Sequence, residues 1–159
     1  MKNNYIFESR VWLPASREEV FEFFSKAGNL QRLTPSWLNF EILTPLPMKI
    51  CQGSIIDYKL KLFSMPIRWK TEISVWEPSH RFVDSQLKGP YKTWIHTHRF
   101  ENINGGGTMM TDHIEYMPHG WLIAPLVNRL FVKRNVRRIF SFRKQEILRI
   151  FSKPMHPGQ

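Results

Sequence analysis

The chain has 159 residues, 42% of them hydrophobic and 14% aromatic, a composition that excludes a disordered or fibrous protein and fits one domain with a substantial core. The single cysteine, Cys51, excludes an intrachain disulfide and a multi-cysteine metal site. The formal net charge of +10 makes nucleic acid and anionic membranes partners to be considered.

The predicted secondary structure begins with a strand and two short helices. Residues 5–13 alternate between polar and apolar side chains, as a half-buried strand does. Ser16 and Glu19 have the spacing of a capping box, which predicts that a helix begins here. A second helix is expected over residues 29–33, because Pro35 disfavours helical geometry in the residue before it.

About 75 residues of strand-like alternation follow, and they predict an antiparallel meander. The strand face that carries Tyr58 is the more apolar one and should point inward. Gly89-Pro90 and the run 104–107 mark turns between the last three strands. The predicted strands cover residues 40–43, 53–62, 67–75, 81–88, 93–101 and 108–116.

A long amphipathic helix is predicted from about Leu122 towards the C-terminus. Its apolar residues recur at steps of three and four, and Phe131, Phe140 and Phe151 are expected to hold the helix on the sheet. Its cations greatly outnumber its single acid, Glu146. The favoured interpretation is a core-facing helix with a solvated basic back, and contact of that back with phosphates or lipid headgroups is the alternative. The cations are Arg129, Lys133, Arg134, Arg137, Arg138, Arg143, Lys144, Arg149 and Lys153, of which Arg134, Arg137, Arg138 and Lys144 are the candidates for an anionic membrane surface.

One domain is predicted over residues 1–153, followed by a polar tail over residues 154–159. Residues 1–5 are polar rather than an apolar signal core, and no stretch approaches the roughly 18 apolar residues that a membrane span needs. We therefore predict a cytoplasmic protein without a nucleic-acid partner.

The last two predicted strands carry buried polar residues. His96 and His98 lie on the aromatic face of one strand, and Asp112 lies on the apolar face of the next. If the glycine loop closes the hairpin so that Phe100 faces Met110, then His98 lies opposite Asp112. The sequence thus predicts a buried pair of histidine and aspartate across two strands.

Asp84, on the preceding strand, extends this pair into a row, because it lies opposite His96 or His98 depending on the register. Burying these groups unpaired would cost several kcal/mol. A structural network, a ligand-orienting end of an aromatic pocket, and acid–base catalysis all fit the residues. His96 and His98 could also bind a metal together with Asp112, but the His-x-His spacing alone is weak evidence, and we predict no metal or other cofactor.

Several segments resemble the START-like helix-grip superfamily (SRPBCC), and in particular its bacterial ligand-binding subgroup. The opening run 13–21 and the order of elements resemble the superfamily, and the segments 29–35, 89–91 and 96–100 resemble the subgroup. The resemblance implies an α+β helix-grip fold: a curved antiparallel sheet of about six or seven strands, two short helices after the first strand, and a long C-terminal helix over an apolar cavity. Members bind lipids, sterols, plant hormones or polyketides, and some are cyclases, so the fold alone does not select a function.

We therefore predict a protein that binds a small, largely apolar ligand, such as a lipid, a polyketide or an aromatic-like molecule, in a cavity between the sheet and the C-terminal helix. The alternative is a polyketide cyclase/dehydratase-like enzyme in which His98 and Asp112 transfer protons. The predicted ligand-binding residues are Tyr58, Trp69, Phe82, Asp84, Gln86, Trp94, His96, His98, Phe100, Met110, Asp112 and Tyr116.

Overall fold

The computed structural model describes residues 4–62, 64–119, 126 and 128–152, and the strands in these ranges form one antiparallel sheet. In chain order the strands are β1 (Tyr5–Leu13), β2 (Glu41–Ile42), β3 (Ile55–Leu62), β4 (Met65–Glu77), β5 (Arg81–Lys88), β6 (Tyr91–Asn102) and β7 (Thr108–Pro118). Their spatial order is β1-β7-β6-β5-β4-β3-β2. The first strand therefore crosses over to pair with the last, as the alternation pattern and the superfamily resemblance together predict.

Two short helices, α1 (Arg17–Phe24) and α2 (Asn29–Arg32), follow β1, and a single 3-10 turn over Ser36–Leu38 leads into β2. The backbone N–H of Glu19 donates to the Ser16 side chain at 3.3 Å, which confirms the predicted cap. The helix α1 buries Phe21 and Phe24 against β5 and β6, where Phe21 lies edge-on to Phe82 and Phe100. This end of the concave sheet face is therefore filled by side chains.

The long C-terminal helix α3 (Lys133–Phe151) follows a π-helical turn over Asn128–Val132 and lies across the sheet. Phe140 contacts Phe7 of β1 at 5.2 Å and His96 of β6 at 5.4 Å between ring centroids. The predicted start of the helix near Leu122 and the predicted tail 154–159 lie outside the described residues. Sheet, short helices and long helix together confirm the predicted α+β helix-grip architecture.

The apolar stripe of α3 differs from the predicted one at two positions. Phe131 was expected to hold the helix on the sheet, but it is 54% exposed, because it precedes α3 in the π-helical turn, where the turn geometry shifts its face. Arg143 was counted with the solvent-facing cations, but it is only 6% exposed. The residues of α3 that are buried are Val136, Phe140, Arg143, Ile147 and Phe151, at the spacing of one helix face.

Candidate functional site

A pocket of about 180 Å³ lies between the sheet, the two short helices and α3. Its walls come from β3 to β6 on one side and from α2, the segment leading to β2, and α3 on the other. Most lining side chains are aliphatic or aromatic, and the polar ones gather where β5, β6 and α3 meet. The lining residues are Phe24, Lys26, Ala27, Asn29, Leu30, Leu33, Thr34, Leu38, Phe40, Ile50, Ile56, Tyr58, Leu60, Leu62, Trp69, Thr71, Ile73, Phe82, Asp84, Tyr91, Trp94, His96, His98, Val136, Ile139, Phe140 and Arg143.

The structure divides the twelve predicted ligand-binding residues into two groups. Those that line this pocket are Tyr58, Trp69, Phe82, Asp84, Trp94, His96 and His98. Those that do not line it are Gln86, Phe100, Met110, Asp112 and Tyr116.

Phe100, Met110 and Tyr116 are instead packed into the core, each with at most 2% of its surface exposed. Phe100 is covered by Phe21 and Phe24 of α1, with ring centroids 5.4 and 5.7 Å away. The alternation of the strands correctly predicted that these side chains face inward. It could not show which part of that face the helices cover.

Gln86 lies at the rim of the sheet, where it closes the turn between β5 and β6. Its amide nitrogen Nε2 donates to the carbonyl oxygen of Tyr91 at 2.7 Å, and the backbone N–H of Tyr91 donates back to Oε1 at 3.4 Å. A Cβ atom at Gly89 would lie 2.3 Å from Gln86 Oε1, so this arrangement requires glycine there. The side-chain amide of Gln86 therefore stabilises the turn between β5 and β6.

The four predicted polar residues at the centre of the sheet form one cluster. His98 lies opposite Asp112, and Asp84 opposite His96, which confirms the predicted register of β6 on β7 and selects one of the two registers left open for β5. Asp84 Oδ2 lies 2.8 Å from His98 Nε2 and 3.4 Å from His96 Nδ1. Asp112 Oδ1 lies 3.0 Å from His98 Nδ1 and 3.0 Å from His96 Nε2. Each imidazole thus bridges the two carboxylates.

Arg143 completes this cluster from α3. Its Nε donates to Asp112 Oδ2 at 3.1 Å, and its guanidinium carbon lies 5.2 Å from the ring centroid of Phe24. Its Nη2 lies 3.5 Å from His98 Nδ1, a longer contact than the one between Nδ1 and Asp112. Sequence reasoning missed this residue, although its position between Phe140 and Ile147 in the apolar stripe was a usable signal.

The charges of the cluster set the pKa values of its members. Burial alone would raise the pKa of the Asp112 carboxyl, but Arg143 and the two histidines outweigh it and hold that pKa well below its usual value. Burial opposes ionisation of Asp84 in the same way, yet His96 and His98 bring its pKa below the ordinary one. Burial disfavours charge on His98, but Asp112 and Asp84 raise its pKa. Burial and the neighbouring His98 lower the pKa of His96 despite both carboxylates.

These directions favour opposite charges side by side. The carboxylates of Asp84 and Asp112 are opposed by the Arg143 guanidinium, and the cluster favours a proton on His98 over one on His96. Groups of opposite charge in mutual contact can remain buried where an isolated charge could not. The cluster therefore presents hydrogen-bonding groups of Asp84, His96 and His98 to an otherwise apolar pocket.

Two tyrosine hydroxyls in the pocket wall remain neutral over a wide pH range. Burial and then the charge of Asp84 raise the pKa of Tyr58 well above its ordinary value. Burial and Tyr116 raise the pKa of Tyr91 in the same direction. Tyr58 and Tyr91 also contact Trp69, with ring centroids 5.8 and 5.7 Å away, so one wall of the pocket is a continuous aromatic surface.

The four cations proposed to face a membrane are exposed on the outer side of α3. The Arg138 guanidinium lies 4.4 Å from the ring centroid of Trp37, which is itself 42% exposed. Within the described ranges, no helix combines the length and apolarity that crossing a bilayer requires. The members of this exposed group are Arg134, Arg137, Arg138 and Lys144.

Comparison with solved structures supports the architecture. The Zhui aromatase/cyclase from Streptomyces sp. R1128 superposes with a TM-score of 0.76 at 14% identity, over 98% of each chain. Protein CV1439 from Chromobacterium violaceum matches with a TM-score of 0.72 at 12% identity, over 94% of this chain and 99% of its own. The ginseng major latex-like protein 151 from Panax ginseng matches with a TM-score of 0.68 at 10% identity, over 95% of this chain and 99% of its own. At these identities the likeness concerns the fold.

A search of curated protein sequences finds no match to this chain. The sequence model of the family described as polyketide cyclase / dehydrase and lipid transport does match, over residues 13–142. That span runs from the end of β1 into α3 and includes every pocket-lining residue except Arg143, which lies one position beyond it. The chain therefore belongs to the polyketide cyclase / dehydrase and lipid transport family.

Proposed function

We propose that this protein binds a small, largely apolar ligand in the pocket between the sheet and α3, and that Asp84, His96 and His98 orient a polar group of that ligand. The observation that carries the proposal is the distribution of polarity. Aromatic and aliphatic walls converge on one polar corner, the usual pattern of a small-molecule site. Membership of a family that includes lipid transport and polyketide cyclisation agrees with such a ligand.

An unpaired donor in the wall gives a second reason. Trp69 lines the pocket, and its indole Nε1 is buried without a hydrogen-bond partner among the residues that the structure describes. Leaving a buried donor unsatisfied costs about 1 to 3 kcal/mol. A ligand hydroxyl or carbonyl oxygen that reaches this donor would satisfy it, and we propose that the ligand carries such an oxygen.

The volume of the pocket indicates the size of the ligand. About 180 Å³ is slightly more than the roughly 150 Å³ of an engineered apolar cavity that admits benzene. One or two fused rings of about ten heavy atoms are therefore the expected occupant of the pocket in this conformation. A longer lipid or polyketide would extend beyond this volume.

The test uses 1-naphthol, which has two fused rings and one hydroxyl, with naphthalene as the matched ligand that lacks the oxygen. Binding is followed by quenching of tryptophan fluorescence and by NMR shifts of the Ile56 and Ile73 methyl groups. We expect 1-naphthol to bind with a dissociation constant on the order of 10⁻⁴ M, from about 0.5 kcal/mol per heavy atom. Trp69→Phe should weaken 1-naphthol roughly fivefold, the value of one hydrogen bond, and leave naphthalene unchanged.

The control for this variant is Trp12→Phe, which alters a tryptophan that is 48% exposed on β1 and does not line the pocket. It should bind both ligands as the wild type does. Absence of saturable binding, or shifts confined to residues outside the pocket, would contradict the proposal.

A second candidate is proton transfer in a polyketide cyclase-like reaction, with His98 as the acid–base group. It is favoured by the position of His98 in the pocket wall and by the structural likeness to an aromatase/cyclase. Both ring nitrogens of His98 contact carboxylates, at 2.8 and 3.0 Å, so transfer to a ligand requires one of these contacts to break. Incubation with a linear poly-β-keto thioester should then yield an aromatic product, and His98→Gln should abolish it. Turnover no faster than in buffer would reject this candidate.

A further inference from the structure

Three potential metal ligands meet at the polar corner of the pocket. Asp84, His96 and His98 each offer one ligand atom there, and these three atoms lie within 4.8 Å of one another. We propose that Asp84, His96 and His98 bind one divalent first-row transition-metal ion. This site differs from the one considered from sequence, because the carboxylate ligand is Asp84 on β5 instead of Asp112 on β7. It goes beyond the proposed function, since it needs no organic ligand.

The distances from Asp84 Oδ2 to the two histidine nitrogens suit coordination. Metal–ligand bonds of about 2.1 Å place neighbouring ligand atoms about 3.0 to 3.4 Å apart in octahedral or tetrahedral geometry. Asp84 Oδ2 lies 2.8 Å from His98 Nε2 and 3.4 Å from His96 Nδ1. Shifts of a few tenths of an ångström would therefore give each histidine nitrogen the spacing from Asp84 Oδ2 that two ligands of one ion have. His96 and His98 have alternate positions on one strand, which is why their rings lie on the same face, 3.8 Å apart between centroids.

The opposite ring nitrogens already have the partners that metal-bound histidines require. A ligating histidine donates its other N–H to a carboxylate, which fixes the tautomer and the ring orientation. Asp112 Oδ1 lies 3.0 Å from both His96 Nε2 and His98 Nδ1, the two nitrogens that would face away from the ion. Asp112 is in turn held by Arg143 through Oδ2 at 3.1 Å. One buried carboxylate thus orients both imidazoles, so an ion would find its ligands preorganised.

The ligand set also indicates the class of metal. Two imidazoles and one carboxylate suit Fe²⁺, Co²⁺, Ni²⁺ or Zn²⁺, whereas Mg²⁺ and Ca²⁺ prefer oxygen ligands. Three protein ligands leave coordination positions open, which is typical of sites that bind an exogenous group. Asp84, His96 and His98 line the pocket, so the open positions would face its interior.

The first experiment measures metal binding directly. Full-length protein is treated with a chelator, dialysed, and titrated with Zn²⁺ by calorimetry and with Co²⁺ by visible absorption. We expect one ion per chain. Loss of a carboxylate that holds a metal-bound histidine typically weakens metal affinity by about 10- to 100-fold, so we expect a loss in that range for Asp112→Asn. Asp84→Asn removes a ligand itself and should weaken metal affinity by about 100-fold or more. The control is His113→Gln, because His113 is a partly exposed histidine that contacts Glu8 and Glu115 and lies outside the proposed site.

The second experiment needs no variant of the cluster, so it holds even if Asp112→Asn fails to fold. Co²⁺ is added to wild-type protein, and paramagnetic shifts of the histidine ring protons are recorded, with the His113 signals assigned from His113→Gln. The site requires the largest shifts at His96 and His98 and small ones at His113. Absence of stoichiometric binding, or shifts centred on another histidine, would overturn the proposal. Because no organic ligand is added, either result leaves the binding of 1-naphthol as a separate question.

Discussion

Replacing Arg143 by methionine should destabilise the protein far more than replacing any other arginine of α3. Methionine keeps the length and much of the volume of the side chain but removes the guanidinium that donates to Asp112. The side chains of Arg143 and Asp112 are only 7% and 6% exposed, so water cannot replace the lost bond. The carboxylates of Asp84 and Asp112 would then face each other across the two imidazoles with one compensating charge fewer.

Breaking a buried ion pair by removing one partner costs about 3 to 5 kcal/mol. For a chain of this length that corresponds to a fall of roughly 6 to 20 °C in Tm. The matched control is Arg138→Met on the same helix. Its guanidinium lies over the partly exposed ring of Trp37, and an exposed contact of this kind contributes only about 0.5 to 1 kcal/mol.

The assay is urea unfolding followed by circular dichroism, with thermal melts as a second measure. A double variant, Arg143→Met with Asp112→Asn, completes the test, because removing the uncompensated carboxylate should recover part of the loss. The reasoning is refuted if Arg143→Met loses no more stability than Arg138→Met. It is also refuted if the double variant loses the full sum of the two single losses.

Further predictions concern alkaline pH and the basic surface. Tyr58 has a raised pKa when folded and an ordinary one near 10 when unfolded, so its contribution to stability is complete below about pH 10 and declines as the pH rises above that value. Urea unfolding should therefore show that the free energy of unfolding falls less between pH 10 and 11 in Tyr58→Phe than in the wild type. An equal fall in both proteins would contradict the raised pKa. We also propose that the basic back of α3 contacts anionic membranes, each cation contributing on the order of 1 kcal/mol at low salt. Co-sedimentation with anionic vesicles should then vanish at high salt, and also when the charges of Arg134, Arg137, Arg138 and Lys144 are reversed. Equal binding to neutral and anionic vesicles, or no binding to anionic vesicles at low salt, would reject the contact.

Much of the fold follows from periodicity, because local patterns determine local structure. The alternation of β6 and β7, together with the assumption that Phe100 faces Met110 across the glycine loop, placed His98 opposite Asp112. The cap at Ser16 and the stop before Pro35 located the first two helices. Each of these signals lies within a few residues of the element that it specifies.

The outline of the pocket could not be obtained in the same way. Whether an inward-facing residue lines a cavity depends on which helix covers it, and that is a tertiary property. Phe100 is covered by α1 and Trp94 is not, although both lie on the same face of β6. Arg143 illustrates the other difficulty: its position in the apolar stripe indicates burial, but its role as the partner of Asp112 follows only from the tertiary structure.

The central claim is that the pocket holds a small organic ligand, and native mass spectrometry of freshly purified protein tests it most directly. The wild type should show a second population heavier by the mass of one bound molecule, which collisional activation releases. Leu30→Trp places an indole in the pocket wall and should remove that population, whereas Ile6→Trp, at a residue that is 65% exposed on β1, should keep it. A single population at the mass of the bare chain, or an adduct equally abundant in Leu30→Trp, would contradict the claim.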